Sequence, residues 1–151
     1  MKSSPQLEPA TLRRLEIAAR AAAKASYSPY SGFRVGAAVL TGSGKIYAGC
    51  NVENASYGLC HCAERTALFT AVAAGEREIE AVAVYTPTPA PTMPCGACRQ
   101  AINEFGSGAL VIAICDSARR VERSLSALLP EAFGPANLLK ASSRQRARKV
   151  R

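Results

Sequence analysis

The sequence predicts an α/β domain in which a mixed sheet carries helices on both faces. Strand-like runs alternate with helical periodicities in the order helix, hairpin, helix, strand, helix, strand. The 151 residues contain no internal repeat or linker, enough for one domain with a core and too few for two comfortable ones. The domain is expected over 1–139, with a basic tail at 140–151.

From Pro9 to about Ser26 the chain is rich in Ala, Leu, Arg and Glu, with Leu12, Leu15, Ala19 and Ala22 at helical spacing. Pro9 suits the first turn of that helix. YSPYSG, Tyr27 to Gly32, breaks the pattern and reads as a loop. Phe33 to Leu40 reads as a buried strand, TGSGK as a turn and Ile46 to Cys50 as a second strand, so the pair forms an antiparallel hairpin. Asn51 to Gly58 is polar and reads as loop. A helix follows from Cys62 to about Ala74, ended by Gly75. Ile79 to Tyr85 is strand-like, TPTPAPTMP is a proline-punctuated loop, and Cys95 to Phe105 is a helix closed by Gly106. Leu110 to Cys115 reads as a strand and Arg120 to Arg123 as a short edge strand. Ser124 caps a short helix before Pro130.

Two cysteine-bearing stretches open the second and third helices. Cys95 and Cys98 form a Cys-x-x-Cys pair whose thiolates can share one metal, and Cys62 supplies a third, with Glu64 two residues on. Three protein ligands leave one tetrahedral position open, the mark of a catalytic rather than a structural zinc site. Zinc brings the pKa of a bound water near 7, and a carboxylate beside the metal can move that water's proton. The positive ends of two helices oppose the negative charge of three thiolates. The bland alternative is a closed structural knuckle with Cys60 or His61 as fourth ligand. Both are immediate neighbours of Cys62, and consecutive side chains at a helix start diverge, which disfavours it. Glu64 alone would read as a first-turn acid; beside three cysteines it reads as the acid/base group.

A ligand, one residue, a Glu, then Pro-Cys-x-x-Cys resembles the zinc nucleobase deaminases. SPYSGFRVGAAV (Ser28 to Val39), NVENASYG (Asn51 to Gly58), CAER (Cys62 to Arg65) and PCGACRQ (Pro94 to Gln100) together resemble the small cytidine deaminases of free nucleosides, over about Leu12 to Leu139. The resemblance implies a three-layer α/β/α core with five strands. It implies one Zn²⁺ per chain on Cys62, Cys95 and Cys98, with Glu64 as acid/base and Arg65 hydrogen-bonding the thiolates. The cytosine would stack on Phe33, its oxygen would meet the backbone N–H of Ala63, and Asn51 and Glu53 would hold the sugar hydroxyl. Ala55, Tyr57 and Phe133 would complete the pockets of neighbouring subunits in a homotetramer. The implied reaction is hydrolytic deamination of cytidine and 2′-deoxycytidine in pyrimidine salvage. His61, one residue before the ligand, becomes a bystander.

Each of these residues has an ordinary reading as well. Asn51 and Glu53 are common surface residues, Phe33 suits a core position at a strand start, and Phe133 in LLPEAFGP could be a buried anchor for the terminal segment. Two rival functions stand beside the nucleoside reading. One is a deaminase of aminopyrimidine antibiotics or of bases in a polynucleotide. The other is a non-catalytic, zinc-stabilised binding protein.

Composition narrows these options. The net charge of +8 lies mostly in the tail, where Lys140, Arg144, Arg146, Arg148, Lys149 and Arg151 stand without an acid. Such a tail reads as solvated, or as a weak polyanion binder. The remaining 13 basic residues nearly balance the 11 acidic ones, and aromatics make up only 6%, which argues against a polynucleotide groove. No apolar run approaches membrane-spanning length and MKSSPQLEPA lacks an apolar signal core, so cytoplasm is the expected location. Three of the six cysteines are committed to metal rather than to disulfides, while Cys50 and Cys115 read as buried hydrophobes.

Overall fold

The computed structural model describes residues 7–138. The expected basic tail at 140–151 and the domain boundary beside it lie outside the described residues. Helix α1 spans Pro9–Ala23, followed by β1 (Gly36–Thr41), β2 (Ile46–Cys50), α2 (Ala63–Ala73), β3 (Ile79–Tyr85), α3 (Gly96–Phe105), β4 (Leu110–Ile114), β5 (Arg120–Ser124) and the short α4 (Leu125–Leu128). A single 3₁₀ turn at Tyr57–Leu59 lies in the stretch expected to be loop.

The five strands form one sheet in the order β2-β1-β3-β4-β5. β1 pairs antiparallel with both β2 and β3, and β4 pairs antiparallel with β5. Only β3 and β4 run parallel, and α3 supplies the crossover that a parallel pair requires. The alternation of side chains along each strand divides the core in two. Leu15 and Ala19 of α1 pack on Ala38, Leu40, Ala81, Ala83 and Ile112. On the opposite face Ala67, Leu68 and Ala71 of α2 and Ile102 of α3 pack on Ala37, Val39, Val82, Val84 and Val111. The expected three-layer architecture is present, with both cysteine-bearing helices on one face.

Two glycines let the helices approach the sheet. A Cβ on Gly36 would stand 2.0 Å from Ala19 O and 2.5 Å from Ala23 N, and one on Gly49 would stand 2.4 Å from Ala67 N. Neither backbone can yield, so only glycine fits at these positions.

The hairpin differs from expectation at its start. Phe33, Arg34 and Val35 precede β1, and Thr41 belongs to the strand rather than the turn. The register explains why this matters for the site. Gly36 stands opposite both Cys50 and Tyr85, so residues 33–35, the chain after Asn51 and the chain after Tyr85 all leave the sheet at one end. Cys115 is fully buried as expected, whereas Cys50 on the edge strand β2 is only half-buried.

Candidate active site

At that end of the sheet the starts of α2 and α3 converge on a cavity of about 250 Å³. Cys62 and Cys95 are the cap residues immediately before the two helices, both in extended conformation, rather than members of the first turns. Neither Sγ caps its own helix by a hydrogen bond, so the sulfurs face the space between the helix ends. Cys98, one turn into α3, is buried beneath them.

The three Sγ atoms lie within 4.8 Å of one another, with Cys62 and Cys95 at 3.9 Å. Tetrahedral zinc with Zn–S bonds of about 2.3 Å holds its sulfurs about 3.8 Å apart, so the spacing and the all-thiol donor set both fit that ion. Among the described residues the group has three members and no fourth His, Cys, Asp or Glu joins it. Cys60 turns instead to Asn54, whose N–H donates to its Sγ at 3.3 Å. His61 also stays out. Its backbone forms a reciprocal pair with Val52, at 2.9 Å in both directions, and its ring tilts against Phe69 at 5.6 Å. That backbone pairing fixes the chain one residue before Cys62.

A hydrogen bond from the Cys98 thiol, reinforced by Arg65, pulls the Cys62 thiol down to about 5, against the opposing effect of burial. The same bond, together with burial, pushes the Cys98 thiol up. Arg65 Nη2 stands 3.8 Å from Cys62 Sγ and 3.4 Å from Cys60 O. The Arg65 Nε is buried with no partner among the described residues.

Glu64, in the first turn of α2, borders the same cavity and is only 5% exposed. Burial pushes its carboxyl up to about 7, with the Cys62 thiolate adding to the effect. A carboxyl that titrates near neutrality can both accept and return a proton. Ala63, the first residue of α2, is fully buried on the cavity wall, and first-turn N–H groups have no intrahelical acceptor.

Phe33, Asn51 and Glu53 reach the cavity from the chain segments that leave the sheet beside it. Asn51 Oδ1 accepts from Ser26 Oγ at 2.6 Å and Val35 N at 2.8 Å, while its Nδ2 donates to Phe33 O at 2.8 Å. One amide proton of Asn51 remains for a ligand. Glu53 Oε2 accepts from Tyr30 N at 2.9 Å and Ser31 N at 3.2 Å, and its Oε1 accepts from the Ser31 hydroxyl. That hydroxyl is the main reason the Glu53 carboxyl lies below its ordinary range.

Ala55, Tyr57 and Phe133 do not line this cavity. All three are exposed, Tyr57 at 72% and Phe133 at 58%, so the reading of Phe133 as a buried anchor is overturned. The Phe133 carbonyl is gripped by Gln100 Nε2 at 2.8 Å and Asn103 Nδ2 at 3.3 Å, which leaves the ring turned outward. Sequence reasoning missed the wall formed by Val84, Thr86, Thr92 and Met93. The only signal was three threonines in the proline-punctuated loop. It also missed Arg99, which holds the turn before Cys95 by donating to Pro94 O at 2.8 Å and Leu128 O at 3.0 Å.

The chain is similar to known proteins over most of its length. Residues 11–114 match the family model described as the cytidine and deoxycytidylate deaminase zinc-binding region. A cytidine deaminase of Sporosarcina psychrophila is 44% identical over 128 residues, covering 84% of this chain and 94% of that protein. The crystal structure of a cytidine deaminase from Burkholderia pseudomallei superposes with a TM-score of 0.77 at 51% identity, covering 80% of this chain and 98% of that one. One from Mycobacterium tuberculosis superposes with a TM-score of 0.71 at 41% identity, covering 82% and 97%. The chain belongs to the cytidine deaminase family of enzymes.

Proposed function

We propose that the protein hydrolyses cytidine and 2′-deoxycytidine to uridine and 2′-deoxyuridine with release of ammonia, using one zinc ion per chain. The observation that carries this reading is the meeting of a three-thiol group, two of whose members line the cavity, with a buried carboxylate on the same cavity that is not part of the group. Cys62, Cys95 and Cys98 hold the metal, and Arg65 steadies the Cys62 sulfur. Zinc, when bound, supplies the Lewis acidity that brings the ionisation of water into the neutral range.

The proton traffic belongs to Glu64. It takes a proton from the attacking water and delivers it to N3 of the pyrimidine as oxygen adds at C4. It then carries the second proton of that water to the amino group, which departs as ammonia, leaving a carbonyl at C4 and a proton on N3. The Ala63 N–H orients the ring by its oxygen and Phe33 stacks on its face. The free proton of Asn51 and the carboxylate of Glu53 hold a sugar hydroxyl between them.

The protein acts as a homotetramer in which Ala55, Tyr57 and Phe133 reach neighbouring pockets. Their exposure beyond the cavity of their own chain supports this arrangement, and Leu59 and Phe69 are further large apolar side chains that the single chain leaves exposed. Pyrimidine salvage in the cytoplasm is the setting. No helix among the described residues is long and apolar enough to cross a membrane. The test is the absorbance change as cytidine becomes uridine on addition of purified, zinc-loaded protein. Cytidine left intact overturns the proposal.

A further inference from the structure

The cavity wall at 86–93 leaves one hydroxyl donor without a partner among the described residues. Thr88 Oγ1 donates to Ala90 O at 2.7 Å. A hydroxyl carries a single proton, so the 2.7 Å contact between Thr86 Oγ1 and Thr88 Oγ1 takes its proton from Thr86. Thr86 also donates toward Thr92 Oγ1, at 3.4 Å, so its proton is shared between two acceptors. Thr92 is thereby an acceptor in its one side-chain hydrogen bond among the described residues, and its own proton is uncommitted. Thr86 is 1% exposed and Thr92 is open to solvent, yet both border the cavity. The neighbouring wall residues Val35, Val84 and Met93 are apolar, so Thr86 and Thr92 are the polar groups on that side, and of the two Thr92 has the uncommitted proton.

We propose that Thr92 contacts the substrate, donating its hydroxyl proton to an oxygen acceptor of the bound pyrimidine nucleoside, and that Thr86 is the residue that holds it in this donor role. The inference rests on the nucleoside reading above and adds a contact on the wall formed by the 86–93 segment. Pocket polar groups of this kind, few and set in an apolar surface, fix a ligand's orientation. A hydrogen bond made equally in the ground and transition states acts on KM and leaves kcat nearly constant.

Steady-state kinetics with cytidine on the zinc-loaded native protein, Thr92→Val, Thr92→Ser and Thr86→Val, with zinc content and melting temperature for each, tests the assignment. Thr92→Val is expected to raise KM by about 3- to 10-fold with kcat changed by less than about twofold. Thr92→Ser restores the native KM, and Thr86→Val moves KM in the same direction as Thr92→Val by a smaller factor. An unchanged KM in Thr92→Val, or a fall in zinc content and kcat alongside KM, overturns the proposal. Calorimetric titration with cytidine separates the two readings. A native protein that binds cytidine without converting it overturns the function, and the comparison of Kd with Thr92→Val then decides the role of Thr92. A native protein that neither converts nor binds cytidine overturns both.

Discussion

The sulfurs of Cys62 and Cys95 stand 3.9 Å apart although the residues are 33 positions apart in the chain. Each cysteine immediately precedes a helix, and the two helices lie on one face of the sheet with their starts together. The fold therefore builds the thiol group by bringing two helix ends to one point. Cys95→Ala is expected to keep the far-ultraviolet circular dichroism of the native protein, because Cys95 is exposed and its side chain caps nothing. Zinc content by elemental analysis should fall well below one per chain, and cytidine turnover should fall with it.

Asn51 ties three strands of chain together through Ser26, Val35 and Phe33. Replacing it with Ala removes all three bonds, at about 1 kcal/mol each, so denaturant unfolding should show a loss of about 2–3 kcal/mol. KM should rise in the same variant because Phe33 loses its anchor. A variant with native stability would contradict the hydrogen bonds described.

Those bonds mark what was legible in the sequence and what was not. The meeting of Cys62, Cys95 and Cys98, with Glu64 on the same cavity, could be read directly, because metal chemistry demands particular residue types at short spacings. The α/β order could be read from periodicity, since β1, β3 and β4 are nearly continuous apolar runs buried on both faces. The partners of Asn51 could not, because Ser26 is 25 positions away and meets it only through the fold. Thr86, Thr92 and the outward ring of Phe133 were hidden for the same reason. Threonine in a proline-rich loop has no periodic signature, and exposure of an aromatic ring depends on where its backbone is gripped.

Gly49 gives a test of how closely α2 sits on the sheet. Its missing Cβ would stand 2.4 Å from Ala67 N and 2.8 Å from Thr66 C. Gly49→Ala must push away the helix that Cys62 precedes, so it should cost about 1–3 kcal/mol or more and weaken zinc retention in a chelator competition. Gly58→Ala, where nothing lies within 4 Å, is the control and should retain native zinc affinity.

The Glu76 carboxyl is held below its ordinary range chiefly by the Ser43 hydroxyl, with Lys45 adding to the effect at 3.2 Å. A carboxyl lowered in the folded state stabilises above its unfolded pKa, and that contribution is lost as pH falls through the folded value. The melting temperatures of the native protein and Glu76→Gln should differ at neutral pH and converge as pH falls through the folded carboxyl's value, below the ordinary carboxylate range. Lys45, raised mainly by its hydrogen bond to Glu76, adds stability that is lost as pH rises through its folded value. A gap that persists unchanged in acid contradicts the pairing.

The most direct test of the account is Glu64→Gln, which keeps the shape of the side chain and removes its ability to carry a proton. Cytidine turnover followed by ultraviolet absorbance, with zinc measured in the same samples, should show about one zinc per chain in both proteins and a rate reduced by about 10²- to 10⁴-fold in the variant. Near-native turnover by zinc-loaded Glu64→Gln would contradict the assignment of proton transfer to Glu64.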